Sequence, residues 1–302
     1  TPAYNVGTSF STPWVSRMAA ELTHLVKEEF DPLLIRALLI HNAKYPANNS
    51  MSMTDKVTQM GFGAPSSVQE MLYNSEDEIT LILRDTLEKG SFIEMFDFPF
   101  PESLVDKDGN FVGQIIVTLV TKSLLDDKQA GEYCQSNIDI LFGTYETETD
   151  RDTSKKGIKN PKGLEEPQNI LLESLYSARV KGAHPFTGFE RECTLVKYGK
   201  KFHPVKKYAI DLSEMTTSNR QRYLRGDRKW YLKIEGLYRD FIEQDARARN
   251  YQLSQEYCLL LTIRDPNGKA PVYDEVAQQL DYKNFLHHNI QLRNVVTIDG
   301  TL

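Results

Sequence analysis

Cysteine is scarce in this 302-residue chain: Cys134, Cys193 and Cys258 stand far apart and form no CxxC pair. An odd, sparse set of this kind builds no disulfide framework and no zinc ribbon; buried structural thiols are expected, in a reducing, cytoplasmic setting. No apolar run approaches the ~18 residues that a membrane span needs. An excess of positive charge is also lacking. The formal net charge is -6, which argues against a general affinity for nucleic acid or anionic membrane. The basic stretch Lys197–Lys207 is expected to be a solvated face. The opening residues Thr1-Pro2-Ala3-Tyr4 have neither the basic nor the apolar region of a signal peptide. They begin without methionine, and the protein is expected to extend upstream.

What is present is an ordinary globular composition, 40% hydrophobic and 26% charged, with length enough for a substantial core. Val15, Met18, Ala19, Leu22 and Val26 recur at helical spacing and predict a helix from Thr8 to about Phe30. Asp31-Pro32 breaks it and caps a second helix, whose Leu33, Leu34, Ile35, Leu38 and Leu39 form a wide apolar face suited to burial. A polar loop is expected from Lys44 to about Thr58, then a turn at Gly61-Phe62-Gly63-Ala64-Pro65 and a short helix from Ser67 to Leu72.

After residue 75 the pattern turns to strands. They are predicted at 79–84, 92–98, 111–121, 137–144, 193–198, 205–212, 230–239, 256–264 and 295–298, with a short helix at 272–280. Many short strands separated by turns predict an antiparallel β-sandwich or jelly-roll-like region over 76–302, following an α/β remnant over 1–75. The charged, apolar-poor stretch 146–168 is expected to be a long exposed loop. Trp230, Tyr231, Tyr238 and Phe241 are expected to fill the core. Asp106-Lys107-Asp108-Gly109-Asn110 resembles part of a calcium loop, but its glycine comes too early and the terminal glutamate is absent, so a hairpin turn is expected. His287 and His288 are adjacent; on a strand they would face opposite ways and could not share a metal.

The chemistry concentrates at Gly7-Thr8-Ser9-Phe10-Ser11-Thr12-Pro13-Trp14-Val15, which leads directly into the first helix. Gly7 permits a backbone turn that a side chain would obstruct. Ser9 would lie at the helix N-terminus, among free N–H groups and the positive end of the dipole. Pro13 is placed in the first turn, where a missing N–H costs little. This stretch resembles the nucleophile motif of the subtilisin-like serine peptidases (subtilases). The order of a second helix and then a glycine-centred turn, Gly61-Phe62-Gly63, resembles the end of their catalytic domain. The family often places asparagine directly before the motif glycine; here Val6 stands between Asn5 and Gly7.

The resemblance covers residues 1–75 and implies a serine endopeptidase with Ser9 as catalytic nucleophile, polypeptide substrates, and no metal or organic cofactor. The family order is Asp, His, Ser, so it also implies that the triad Asp and His lie upstream, and that this chain alone is inactive. Among the histidines, His24 and His41 are expected to be core or surface residues of the two helices. His184, His203, His287 and His288 lack the glycine-rich context of the family histidine. The partners implied are the upstream part of the same protease and, from the likeness of residues 132–145 to large bacterial subtilases of intracellular type, an AAA-type ATPase. Two alternatives stand beside this: a non-catalytic binding or regulatory module carrying a subtilase remnant, and a different serine hydrolase with its triad inside the chain.

Overall fold

The computed structural model describes residues 7–26, 30–45, 53–72, 74–146, 167–176, 192–193, 202–282 and 290–292. The chain opens with α1 (Thr8–Val26), α2 (Pro32–His41), α3 (Met53–Met60) and α4 (Val68–Leu72). Among the described residues ten strands follow: β1 (Glu78–Glu88), β2 (Phe92–Phe98), β3 (Gln114–Thr121), β4 (Ser136–Tyr145), β5 (Gln168–Asn169), β6 (Glu192–Cys193), β7 (Val205–Asp211), β8 (Lys229–Tyr238), β9 (Ser254–Arg264) and β10 (Ile290–Leu292). Between them lie α5 (Thr217–Tyr223), α6 (Asp240–Arg249) and α7 (Val272–Tyr282).

The strands form two antiparallel sheets, one ordered β10-β1-β9-β3-β7-β6 and one ordered β2-β8-β4-β5. The fold is thus mixed α/β, and neither sheet closes into a barrel. Side chains alternate across a strand, and β9 shows what that alternation builds. Tyr257, Leu259, Leu261 and Ile263 join an apolar cluster with Ile138, Phe142, Trp230 and Leu232 of the four-stranded sheet. Cys258 and Leu260 point the other way, into a cluster with Met18 and Leu22 of α1 and Leu34, Ile35 and Leu38 of α2. A strand buried on both faces must be apolar throughout, which accounts for the run Tyr-Cys-Leu-Leu-Leu. Cys134 and Cys258 are buried free thiols, and burial pushes the Cys258 thiol well above its ordinary range.

Between the sheets Trp230 stacks on Phe100 at 4.1 Å and on Phe142 at 5.1 Å. Tyr231 is also buried, whereas Phe241 sits exposed on α6, contrary to its expected place in the core. The acidic loop at 106–110 is a turn: Asp106 Oδ1 accepts from the N–H groups of Asp108 and Asn110, and its other oxygen pairs with Arg220. Among the described residues no three His, Cys, Asp or Glu side chains stand close enough to hold a metal ion, and no helix is long and apolar enough to cross a membrane.

Several expectations need correction. Residues 53–60 are helical where the loop was expected to run to Thr58. The α5 and α6 helices were missed because TSNRQRY and DFIEQDARAR carry few apolar residues to mark a period. Lys206 and Lys207 are buried, not solvated. Each ammonium finds fixed acceptors: Lys206 donates to Ile138 O and pairs with Asp139, and Lys207 donates to Ile40 O and Ala43 O. The strand expected at 295–298, residues 147–166 of the expected loop, and His184, His287 and His288 lie outside the described residues.

Packing of α2 carries the contact between the helices and the sheet. Its cap is built as the sequence indicates: Asp31 Oδ1 accepts from Leu33 N at 2.8 Å and Leu34 N at 3.2 Å, with Pro32 first in the helix. Leu38 is fully buried at the centre of the interface. Leu38→Ala should cost about 2–5 kcal/mol, and Asp31→Ala about 1 kcal/mol. Both should appear as a lower urea midpoint followed by far-ultraviolet circular dichroism.

Candidate functional site at the start of the first helix

Ser9 occupies the first turn of α1, one residue after the helix begins. Gly7 O accepts from Phe10 N at 3.1 Å, and Ser11 Oγ donates to Thr8 O, so the turn is closed on itself. The Ser9 side chain is exposed. No hydrogen bond to its hydroxyl is formed among the described residues. The first-turn N–H groups of a helix lack intrahelical acceptors and face outward with the positive end of the dipole. Negative charge developing beside Ser9 would therefore meet a favourable field.

Pro13 is the sixth residue of α1, past the first turn in which it was placed. A residue there would normally donate its N–H to the carbonyl of Ser9, four positions back. Proline cannot, and the Ser9 carbonyl goes without that bond.

From Thr8 to Trp14 every side chain is exposed, including Phe10 at 61% and Trp14 at 50%. Beside them Ser11, Thr12, Val15, Ser16 and Ala19 line an open groove of about 380 Å³. Only Met18 and Leu22 of α1 are buried, against α2 and its neighbours. The helix is therefore anchored by its middle, and the end bearing Ser9 projects from the packed body. A soluble monomer seldom shows large apolar side chains in a contiguous patch without a partner for them.

No described histidine serves Ser9. His24 lies on the same helix, fifteen residues on, roughly 22 Å along the axis at the usual rise. His41 is buried under α2, with Nδ1 2.9 Å from Thr118 Oγ1 and Nε2 2.7 Å from Thr262 Oγ1. His203 is buried beside β7, its Nδ1 within hydrogen-bond distance of both the carbonyl and the N–H of Val205. Asn5 and the three remaining histidines lie outside the described residues.

At the other end of this helical segment the chain turns at Gly61 and Gly63, both at positive φ. A Cβ on Gly63 would sit 2.5 Å from Lys44 O, and the Lys44–Ala64 pair exchanges two backbone hydrogen bonds at 2.9 and 3.0 Å. Only glycine closes this turn without strain.

Residues 3–66 match the model of the Subtilase family. The match spans about one fifth of the chain and takes in the motif helix, α2, α3 and the turn at Gly61-Gly63. It supports a subtilase-like peptidase, and hence a serine hydrolase in the intact protein. No curated protein matches the chain. The subtilase-like segment thus holds the exposed Ser9 at one end and is buried against the six-stranded sheet at the other. Sequence reading missed how it is held there. The signal was a threonine set among apolar neighbours in each of three strands: Thr80 in β1, Thr118 in β3 and Thr262 in β9.

Burial holds the His203 imidazole below its ordinary 6.5; the neighbouring Lys206 and Arg36 charges lower it further, against the opposing bond to Val205 O. A base depressed in the folded state stabilises it above the unfolded pKa, and that contribution is lost as pH falls. The stability difference between the native chain and His203→Gln should therefore move against the native chain as pH drops from about 7.5 to about 5. Urea midpoints of both proteins across that range provide the check.

Proposed function

We propose that this chain is the C-terminal part of a subtilisin-like serine endopeptidase, with Ser9 as its nucleophile. The observation that carries the reading is the subtilase match over residues 3–66 together with Ser9 exposed at a helix N-terminus. In this reading an upstream histidine removes the hydroxyl proton, Ser9 Oγ attacks the scissile carbonyl, and the amine leaves with that proton. Water then hydrolyses the acyl-enzyme. The Ser9 N–H, at the positive end of α1, is placed to donate to the oxyanion.

The upstream part of the protease supplies the Asp, the His and the side-chain oxyanion donor, and it covers Phe10, Trp14 and the groove beside them. The 302 residues alone are then inactive; loss of the triad histidine costs subtilisin itself about a million-fold in turnover. The two sheets are read as a β-sandwich over 76–302 that follows the end of the catalytic domain at 1–75. Polypeptide substrates, a cytoplasmic location and an AAA-type ATPase partner belong to the same proposal, and the chemistry calls for no cofactor.

Fluorophosphonate labelling read by mass spectrometry tests it on three proteins: this chain, its Ser9→Ala variant, and a form extended upstream. Labelling of Ser9 in the extended form alone is the expected result. Labelling of the short chain, lost in Ser9→Ala, would place the triad inside it and overturn the division of the site. Folded proteins that label in neither form would point to the binding or regulatory module instead.

A further inference from the structure

On the helix-facing side of the six-stranded sheet a buried line of polar groups lies beneath the C-terminus of α2, while Arg84 of β1 pairs with Asp31 at its N-terminus. Thr80, Thr118 and Thr262 all lie on that side and are all almost wholly buried. Thr80 and Thr262 are directly paired across β1 and β9, with their hydroxyls 2.7 Å apart. His41, the last residue of α2, bridges Thr262 to Thr118 of the next strand. A neutral imidazole has one donor and one acceptor nitrogen, so one threonine accepts from it and the other donates to it. One residue away Lys207 of β7, the strand paired with β3, donates to Ile40 O at 3.0 Å and Ala43 O at 2.7 Å. A cation thus meets the negative end of the α2 dipole.

These bonds do what the surrounding apolar contacts cannot. Leu34, Ile35 and Leu38 press α2 against Ile82, Val120 and Leu260, but apolar contact is not directional. Hydrogen bonds, which depend on direction, define the setting of a helix more sharply than such contact does. The imidazole, spanning hydroxyls on two strands, permits one position. Met18 and Leu22 of α1 pack into the same cluster, so the setting of α2 is passed to the helix that carries Ser9.

We propose that His41, held between Thr118 and Thr262, is a positioning residue for Ser9: the β-sheet region sets α2, and α2 sets the nucleophile helix. This rests on the reading of Ser9 as the nucleophile. Misplacement of a reacting group by about 1 Å costs on the order of a hundredfold in rate, which fixes the size of the effect sought.

The test is Thr262→Val, which keeps the shape and removes the hydroxyl shared by His41 and Thr80, set against Thr262→Ser, which keeps the hydroxyl. In the upstream-extended protein, Thr262→Val should slow fluorophosphonate labelling of Ser9 by about 10- to 100-fold, and Thr262→Ser should restore most of the rate. Equal rates in all three, or a loss that serine does not restore, would overturn the proposal. In the 302-residue chain, hydrogen exchange should quicken in peptides from both α1 and α2 of Thr262→Val while β1, β3 and β9 stay protected. Exchange that quickens in α2 but not α1, or uniformly through the molecule, would also overturn it. Thr118→Val repeats the measurement should Thr262→Val not fold. An extended wild type that does not label sinks the nucleophile reading, and the exchange experiment still decides whether the sheet sets α1.

Discussion

The six-stranded sheet is covered on both faces, and the rest of the structure depends on that burial. β9 lies near its middle, hydrogen-bonded to β1 on one side and β3 on the other. One set of its side chains fills the space between the sheets, and the alternate set receives α1 and α2. Period-two alternation makes these two sets inseparable: a slip of one residue in β9 would exchange them and put Thr262 where Leu261 is needed. The helices of the subtilase-like segment and the second sheet are thus two consequences of one strand register.

That arrangement explains why the Ser9 end of α1 is exposed while its middle is not. A helix nineteen residues long extends about 28 Å. Met18 and Leu22 reach the cluster, and the first two turns pass beyond it. Phe10 and Trp14 are left in solvent with small residues between them, a surface whose shape suits close packing by another element. On the proposed reading, reactivity of Ser9 turns on two separate supports, one below through α2 and the sheet and one in front from the upstream part that covers the groove.

Buried polar groups at the helix–sheet contact specify position more than they stabilise it. A histidine between two hydroxyls and a lysine on two carbonyls each bring desolvation costs that their bonds largely offset. Replaced by apolar groups of the same shape, they could leave stability little changed. What such a replacement loses is the single setting of α2, because hydrogen bonds depend on direction and apolar contact does not.

Local rules made much of this legible. The α2 cap, the tight turn at Gly61-Gly63, the wide apolar face of α2 and most of the strands follow from neighbouring residues. So does the motif around Ser9, whose meaning lies in consecutive positions. The polar helices α5 and α6 escaped because nothing in their composition sets a period, and Lys206 and Lys207 were misjudged because a charge looks solvated until its acceptors are known. Those acceptors, Ile138 O, Ile40 O and Ala43 O, lie 68, 167 and 164 residues away along the chain. The sequence by itself determined the nucleophile candidate and the elements around it, since these depend on local spacing and backbone sterics. Only the tertiary structure decided that His41 spans Thr118 and Thr262 and that Ser9 stands clear of every described histidine, because those relations depend on which strands become neighbours.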